Sequence, residues 1–138
     1  MRVDDVAPEV NAVTGDIVDA AIAVHRELGP GLYESVYERC LFRRLGKRGW
    51  SVRRQVEVPI VFDGEVFAAG YKADLIVDDL VVVEVKAVDA LAKAHFAQLS
   101  TYVRLGGFPA GLLMNFDAVP LREGIKRLVM TDAGREWR

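Results

Sequence analysis

The sequence predicts an α/β (α+β) domain in the order α-α-β-β-β-α-β-β. Three observations carry this: helical spacing of apolar residues in two stretches before residue 46, period-two alternation from Val52, and a return to helical spacing between Ala90 and Leu105 ahead of two apolar runs. The 138 residues suit one hydrophobic core. No repeat, low-complexity tract or Ser/Pro-rich linker divides them, so residues 13–138 read as one domain behind a flexible arm at residues 1–12.

Thr14 is placed to cap the first helix, in which Ile17, Ala21, Val24 and Leu28 recur at helical spacing until Gly29-Pro30-Gly31 stops the run. The second helix spans about Leu32 to Leu45, with Tyr33, Val36, Tyr37, Cys40, Leu41 and Leu45 on one side. Val52, Val56, Val58, Ile60 and Phe62 then share strand parity, interrupted by Arg54, and Asp63-Gly64 is a hairpin turn. Pro59 points to a sheet edge or a bulge. Further strands are expected over Val66–Val77 and Leu80–Val88, turning at Asp78-Asp79. Asp89 is expected to cap a helix over Ala90–Leu105, and the strands Gly111–Phe116 and Ile125–Met130 follow.

Composition narrows the function. One cysteine, Cys40, and two histidines, His25 and His95, form neither an intrachain disulfide nor a usual structural zinc site. The longest apolar runs, such as Leu80-Val81-Val82-Val83, are too short for a membrane span, and the N-terminus lacks the features of a secretory signal, so a cytoplasmic location without a membrane partner is expected. The net charge of −2 is unlike a protein that coats nucleic acid by bulk electrostatics. The charge is nevertheless lopsided. Arg39, Arg43, Arg44, Lys47, Arg48, Arg53 and Arg54 fall between Arg39 and Gln55 with no acid among them, which fits a phosphate-binding surface as well as a solvated face.

Polar residues on faces patterned for the core mark the expected chemistry, because burying them costs free energy unless something compensates. Glu34 projects between Leu41 and Leu45 at the edge of the second helix's apolar stripe. His95, Gln98 and Tyr102 form a polar seam between Leu91, Leu99 and Leu105 on the third helix, with Gln98 and Tyr102 stacked four residues apart. Asp74 lies in an otherwise apolar strand, while Glu84 and Lys86 share a face of the next one. Asp74 and Glu84 pair across the hairpin only if the loop is odd, for example Asp78–Leu80, or bulged; a two-residue Asp78-Asp79 turn would set Asp74 opposite Val83. Two carboxylates held together need a proton or a cation, and a hard ion such as Mg²⁺ suits oxygen ligands. Lys86 beside them would hold a water or offset charge on a phosphoryl group.

Asp74, then Glu84-x-Lys86, then Gln98-x-x-x-Tyr102, in this element order, resembles the PD-(D/E)XK nuclease superfamily. More narrowly, GPGLYESVYERCL, with Gly31, Glu34 and Tyr37, is similar to the small bacterial GxxExxY family, as are YKADLIV, AQLSTYV, GLLMNF and GIKRLV. The resemblance implies a restriction-endonuclease-like core with a mixed sheet flanked by helices. It implies Asp74, Glu84, the Val85 carbonyl and Glu34 as metal ligands for Mg²⁺ or Mn²⁺, and Lys86 as the catalytic lysine. Gln98 and Tyr102 match an element of RecB-like exonucleases that positions the site and the strand. The expected activity is hydrolysis of nucleic acid, DNA foremost, with Arg43, Lys47, Arg53, Arg54, Lys72 and Lys93 guiding phosphates and specificity supplied by a partner protein or a homodimer. The competing reading is a catalytically silent nuclease-fold module that binds nucleic acid or a protein.

Overall fold

The computed structural model describes residues 6–138; residues 1–5, the start of the expected arm, lie outside the described residues. Helix α1 (Pro8–Leu28) begins earlier than the Thr14 cap anticipated. Proline is favoured at a first helical position, where its missing N–H costs nothing, and Val10, Val13 and Ile17 extend the apolar stripe back to it. Residues 8–12 are therefore helical, and Thr14 is buried inside α1, donating to the Asn11 carbonyl at 3.2 Å. Helix α2 (Glu34–Lys47) follows, its Tyr37, Leu41 and Leu45 buried beside α1.

Strands β1 (Val52–Phe62) and β2 (Glu65–Val77) form a long hairpin, followed by β3 (Val81–Lys86), helix α3 (Lys93–Gly106), β4 (Ala110–Asn115), a short 3₁₀ turn, β5 (Ile125–Thr131) and β6 (Gly134–Trp137). The expected order holds, with β6 added. The six strands lie in sequence order, antiparallel except for the β3–β4 pair, which α3 links in parallel. One face of this mixed sheet packs on α1 and α2 through Leu75, Val77, Val83, Val85, Leu112 and Met114; the other packs on α3 through Ile76, Val82, Leu113 and Leu128. Gly111 lets α3 approach, since a Cβ there would stand 2.7 Å from Val103.

The period-two reading of β1 needs correction. Val52 packs against the α1/α2 core, whereas Val56, Val58 and Ile60 pack with α3. In β2, Leu75 and Val77 face α1/α2, but Tyr71 and Ala73, of the same parity, face α3. The switch falls at Gln55 and Asp74, flanked by the pairs Arg54–Leu75 and Val56–Ala73, where Gln55 takes a left-handed φ of 53°. Such a backbone is unusual for a non-glycine residue and turns the strand over.

Candidate active site

The register of the second hairpin decides whether the acidic pair forms. Leu75 pairs with Val83, Ile76 with Val82 and Val77 with Val81, so the loop is the three-residue Asp78-Asp79-Leu80 and Asp74 comes level with Glu84. Asp78 and Asp79 both take left-handed backbone, at φ 55° and 54°. Asp74 Oδ2 accepts the Val85 N–H at 2.8 Å, while the Asp74 backbone N–H and side chain reach the Glu84 carboxylate.

Glu84 is 4% exposed, and its Oε1 has no hydrogen-bond partner. Burial above all, then the Asp74 charge, pushes its pKa up to about 9, against a smaller opposing pull from Lys86. A desolvated carboxylate with an idle oxygen, in contact with a second carboxylate and near an ammonium, is poised to take up a proton or a cation. Its oxygen donors fit a hard divalent ion.

The α3 side closes over Glu84 with aromatics. Tyr71 and Tyr102 stack 3.9 Å apart with planes at 5°, and Tyr71 Oη donates to the Tyr102 carbonyl at 2.7 Å. Burial, with the Glu84 charge contributing to both, raises the Tyr71 pKa to about 12 and that of Tyr102 above the ordinary value. Gln98 hydrogen-bonds the Tyr102 side chain, opposing its rise. His95 leaves the expected seam: its Nδ1 accepts the Ala92 N–H at 3.0 Å, which fastens the first turn of α3. Asn115, paired with Lys86 across β3 and β4, binds both the N–H and the carbonyl of Val88, at 3.1 and 2.9 Å, and so fixes the chain just past the lysine.

Helix α2 contributes two acids. Glu34 is exposed, its Oε2 accepts the Ala87 N–H at 3.0 Å and so fastens the end of β3, and it lines, with Glu38, Gln55 and Asp74, one open pocket of about 350 Å³. One turn on, Glu38 is 5% exposed, and it feels the charge of Asp74. Arg54 Nη1 donates to Glu38 Oε2 at 2.9 Å, and Gln55 Nε2 donates to Glu38 Oε1 at 2.5 Å and Asp74 Oδ1 at 3.3 Å. Burial raises the Glu38 pKa, partly offset by Arg54. Among the described residues no three His, Cys, Asp or Glu side chains form a closed metal cage. Glu38, Gln55, Tyr71 and Asn115 are the residues the sequence reading missed. Glu38 had a signal, since it falls about 20° from Leu45 around the helix; Gln55 had none, because only its backbone turns it toward Asp74.

The residues expected to guide phosphates scatter. Arg54 is committed to buried Glu38, and Arg53 to Asp79 at 2.5 Å. Arg43 and Lys47 line a groove at the far end of α2. Lys72 and Lys93 are exposed on β2 and at the start of α3.

A model of the PD-(D/E)XK nuclease superfamily matches residues 11–128, which contain every element that builds this site. The chain belongs to that superfamily. Nuclease activity, and the divalent metal ions such enzymes generally use, follow at the level of the family. No curated protein and no solved structure matches the chain. No helix among the described residues is long and apolar enough to cross a membrane.

Proposed function

We propose that this member of the PD-(D/E)XK superfamily hydrolyses phosphodiester bonds in DNA with Mg²⁺ or Mn²⁺. The observation that carries the reading is the Asp74–Glu84 pair, whose buried Glu84 Oε1 has no protein partner. Asp74, Glu84 and the Val85 carbonyl would hold the ion, which when bound polarises the phosphoryl group and acidifies a water.

The chain's own side chains do the rest. Asp74 is pinned by the Val85 N–H and Gln55, so its carboxylate is pre-oriented. Lys86, on the same face of β3 as Glu84, holds the attacking water or offsets charge developing on the phosphoryl oxygens. The Tyr71–Tyr102 stack, with Gln98, walls off the α3 side and shields Glu84 from water, which strengthens the charge interactions of that carboxylate. Lys72 and Lys93 bind flanking phosphates.

The test is a cleavage assay on linear, circular and single-stranded DNA and on RNA, each with Mg²⁺ or Mn²⁺, beside Glu84→Ala of verified fold. Cleavage abolished by the substitution is expected, and the substrate profile separates end-directed from internal cutting. Wild type and Glu84→Ala indistinguishable on every substrate would overturn the reading in favour of a binding module.

A further inference from the structure

The far half of the β1–β2 hairpin stands outside both cores. β3 pairs with β2 only from Leu75 onward, and every residue from Val61 to Gly70 is exposed. The tip is nevertheless apolar: Val61 and Phe62 are each 66% exposed, Val66 64% and Phe67 47%. Val61 pairs with Val66 and Ile60 with Phe67, so both faces of the ribbon carry hydrocarbon. A two-stranded ribbon alone is marginally stable, and apolar surface concentrated on one is a contact surface. Asp63 and Glu65 make the tip acidic, which disfavours a phosphate backbone as its occupant.

At the other end of β1 lies a groove of about 460 Å³ lined by Phe42, Arg43, Gly46, Lys47, Trp50 and Val52. Its floor is apolar. Arg43 and Lys47 take no part in the ion pairs that engage Arg44, Arg48, Arg53 and Arg54. The groove thus offers the complement of the tip: hydrocarbon for Phe62 and Val66, cations for Asp63 and Glu65. A chain cannot fill its own groove with its own tip, since Val52 and Phe62 are separated by roughly 33 Å of extended strand.

We propose that two copies associate through these surfaces, the hairpin tip of each seated in the α2 groove of the other. Tip and groove occupy opposite ends of the sheet's edge strand. A twofold axis running beside the outer edge of β1, level with Glu57, would bring both tips to both grooves and close the assembly at two. Side chains make the contact rather than a continuous sheet, because Pro59 lacks an N–H and the left-handed Gln55 interrupts the outer edge of β1.

Sedimentation velocity of the full chain over a concentration series reads the association, with melting curves to verify each fold. Wild type is expected to form a reversible dimer, weakened about tenfold or more by Phe62→Glu with Val66→Glu on the tip and equally by Arg43→Glu with Lys47→Glu in the groove. Asp63→Lys with Glu65→Lys, monomeric alone, is expected to form a heterodimer with the groove-reversed variant. A wild type that stays monomeric, a dimer indifferent to either set, or a mixture that fails to pair would each overturn the proposal. So would a monomer whose DNA affinity falls with Phe62→Glu, which would place nucleic acid on the tip.

Discussion

The base and the tip of the β1–β2 hairpin invert the usual sorting of side chains in opposite senses. At the base, Arg54, Gln55, Asp74 and the facing Glu38 and Glu84 bring charge toward the interior, whereas at the tip Val61, Phe62, Val66 and Phe67 carry hydrocarbon into solvent. The base settles most of its polarity internally, since Arg54 and Gln55 satisfy Glu38 and the Val85 N–H satisfies Asp74, leaving Glu84 Oε1 as the unmet demand. The tip settles none of its apolar surface. The contrast teaches that one strand pair leaves a buried carboxylate oxygen unpaired at one end and apolar surface uncovered at the other, the two demands that the proposed metal ion and the proposed second copy would meet.

The largest effects belong to the base. Lys86→Met or Asp74→Asn is expected to lower cleavage by at least about a hundredfold while the melting temperature moves little, read by single-turnover kinetics and thermal melts. Unchanged turnover would put the chemistry elsewhere.

Next comes pH. Burial keeps Glu84 protonated in the folded chain up to about 9, whereas unfolding returns it to its ordinary value of 4.5. Between those values the unfolded state releases a proton that the folded state keeps. Glu84's contribution to stability is therefore intact below 4.5 and is lost as pH rises toward 9, by up to about 1.4 kcal/mol per pH unit. Urea titrations at pH 5 to 8 without divalent ions should show that decline, and Glu84→Gln should flatten it and stabilise the protein at pH 8. Added Mn²⁺ should restore wild type but not Glu84→Gln.

A smaller effect belongs to Gln55. Asn tolerates left-handed backbone but is one methylene shorter than Gln, so Gln55→Asn should weaken Mn²⁺ binding by about fivefold and, by unpairing buried Glu38 Oε1, cost about 1 kcal/mol of stability. Calorimetric titration beside a melt checks this. Smallest of all, Phe62→Ser at a concentration where the chain is monomeric should shift stability by no more than about 0.5 kcal/mol, because the ring is already in water.

Much of the site was legible because carboxylates in apolar strands are conspicuous. Asp74, Glu84 and Lys86 could be named from strand alternation, and Gln98 and Tyr102 from helical spacing. Glu34 drew attention through the same stripe that holds Glu38, but the first turn of α2 leaves Glu34 exposed against Ala87 while Glu38 is buried against Arg54 and Gln55. Periodicity identifies a face; it does not say how far along that face the neighbouring layer extends. Part of the basic cluster is engaged within the fold for a related reason, since Arg48, Arg53 and Arg54 find Asp16, Asp79 and Glu38, partners remote in the chain that no local pattern reveals.

The sequence by itself determined the order of the elements through β5 and the chemical identity of the carboxylates and lysine, because periodicity and local turn chemistry act over a few residues. The tertiary structure decided the odd loop that sets Asp74 level with Glu84, the left-handed Gln55 at which the hairpin changes faces, and the burial that leaves Glu84 Oε1 unpaired. Register and burial are properties of strands and helices packed together. A one-residue difference in a loop reverses every side chain beyond it, and only the completed core selects between the two.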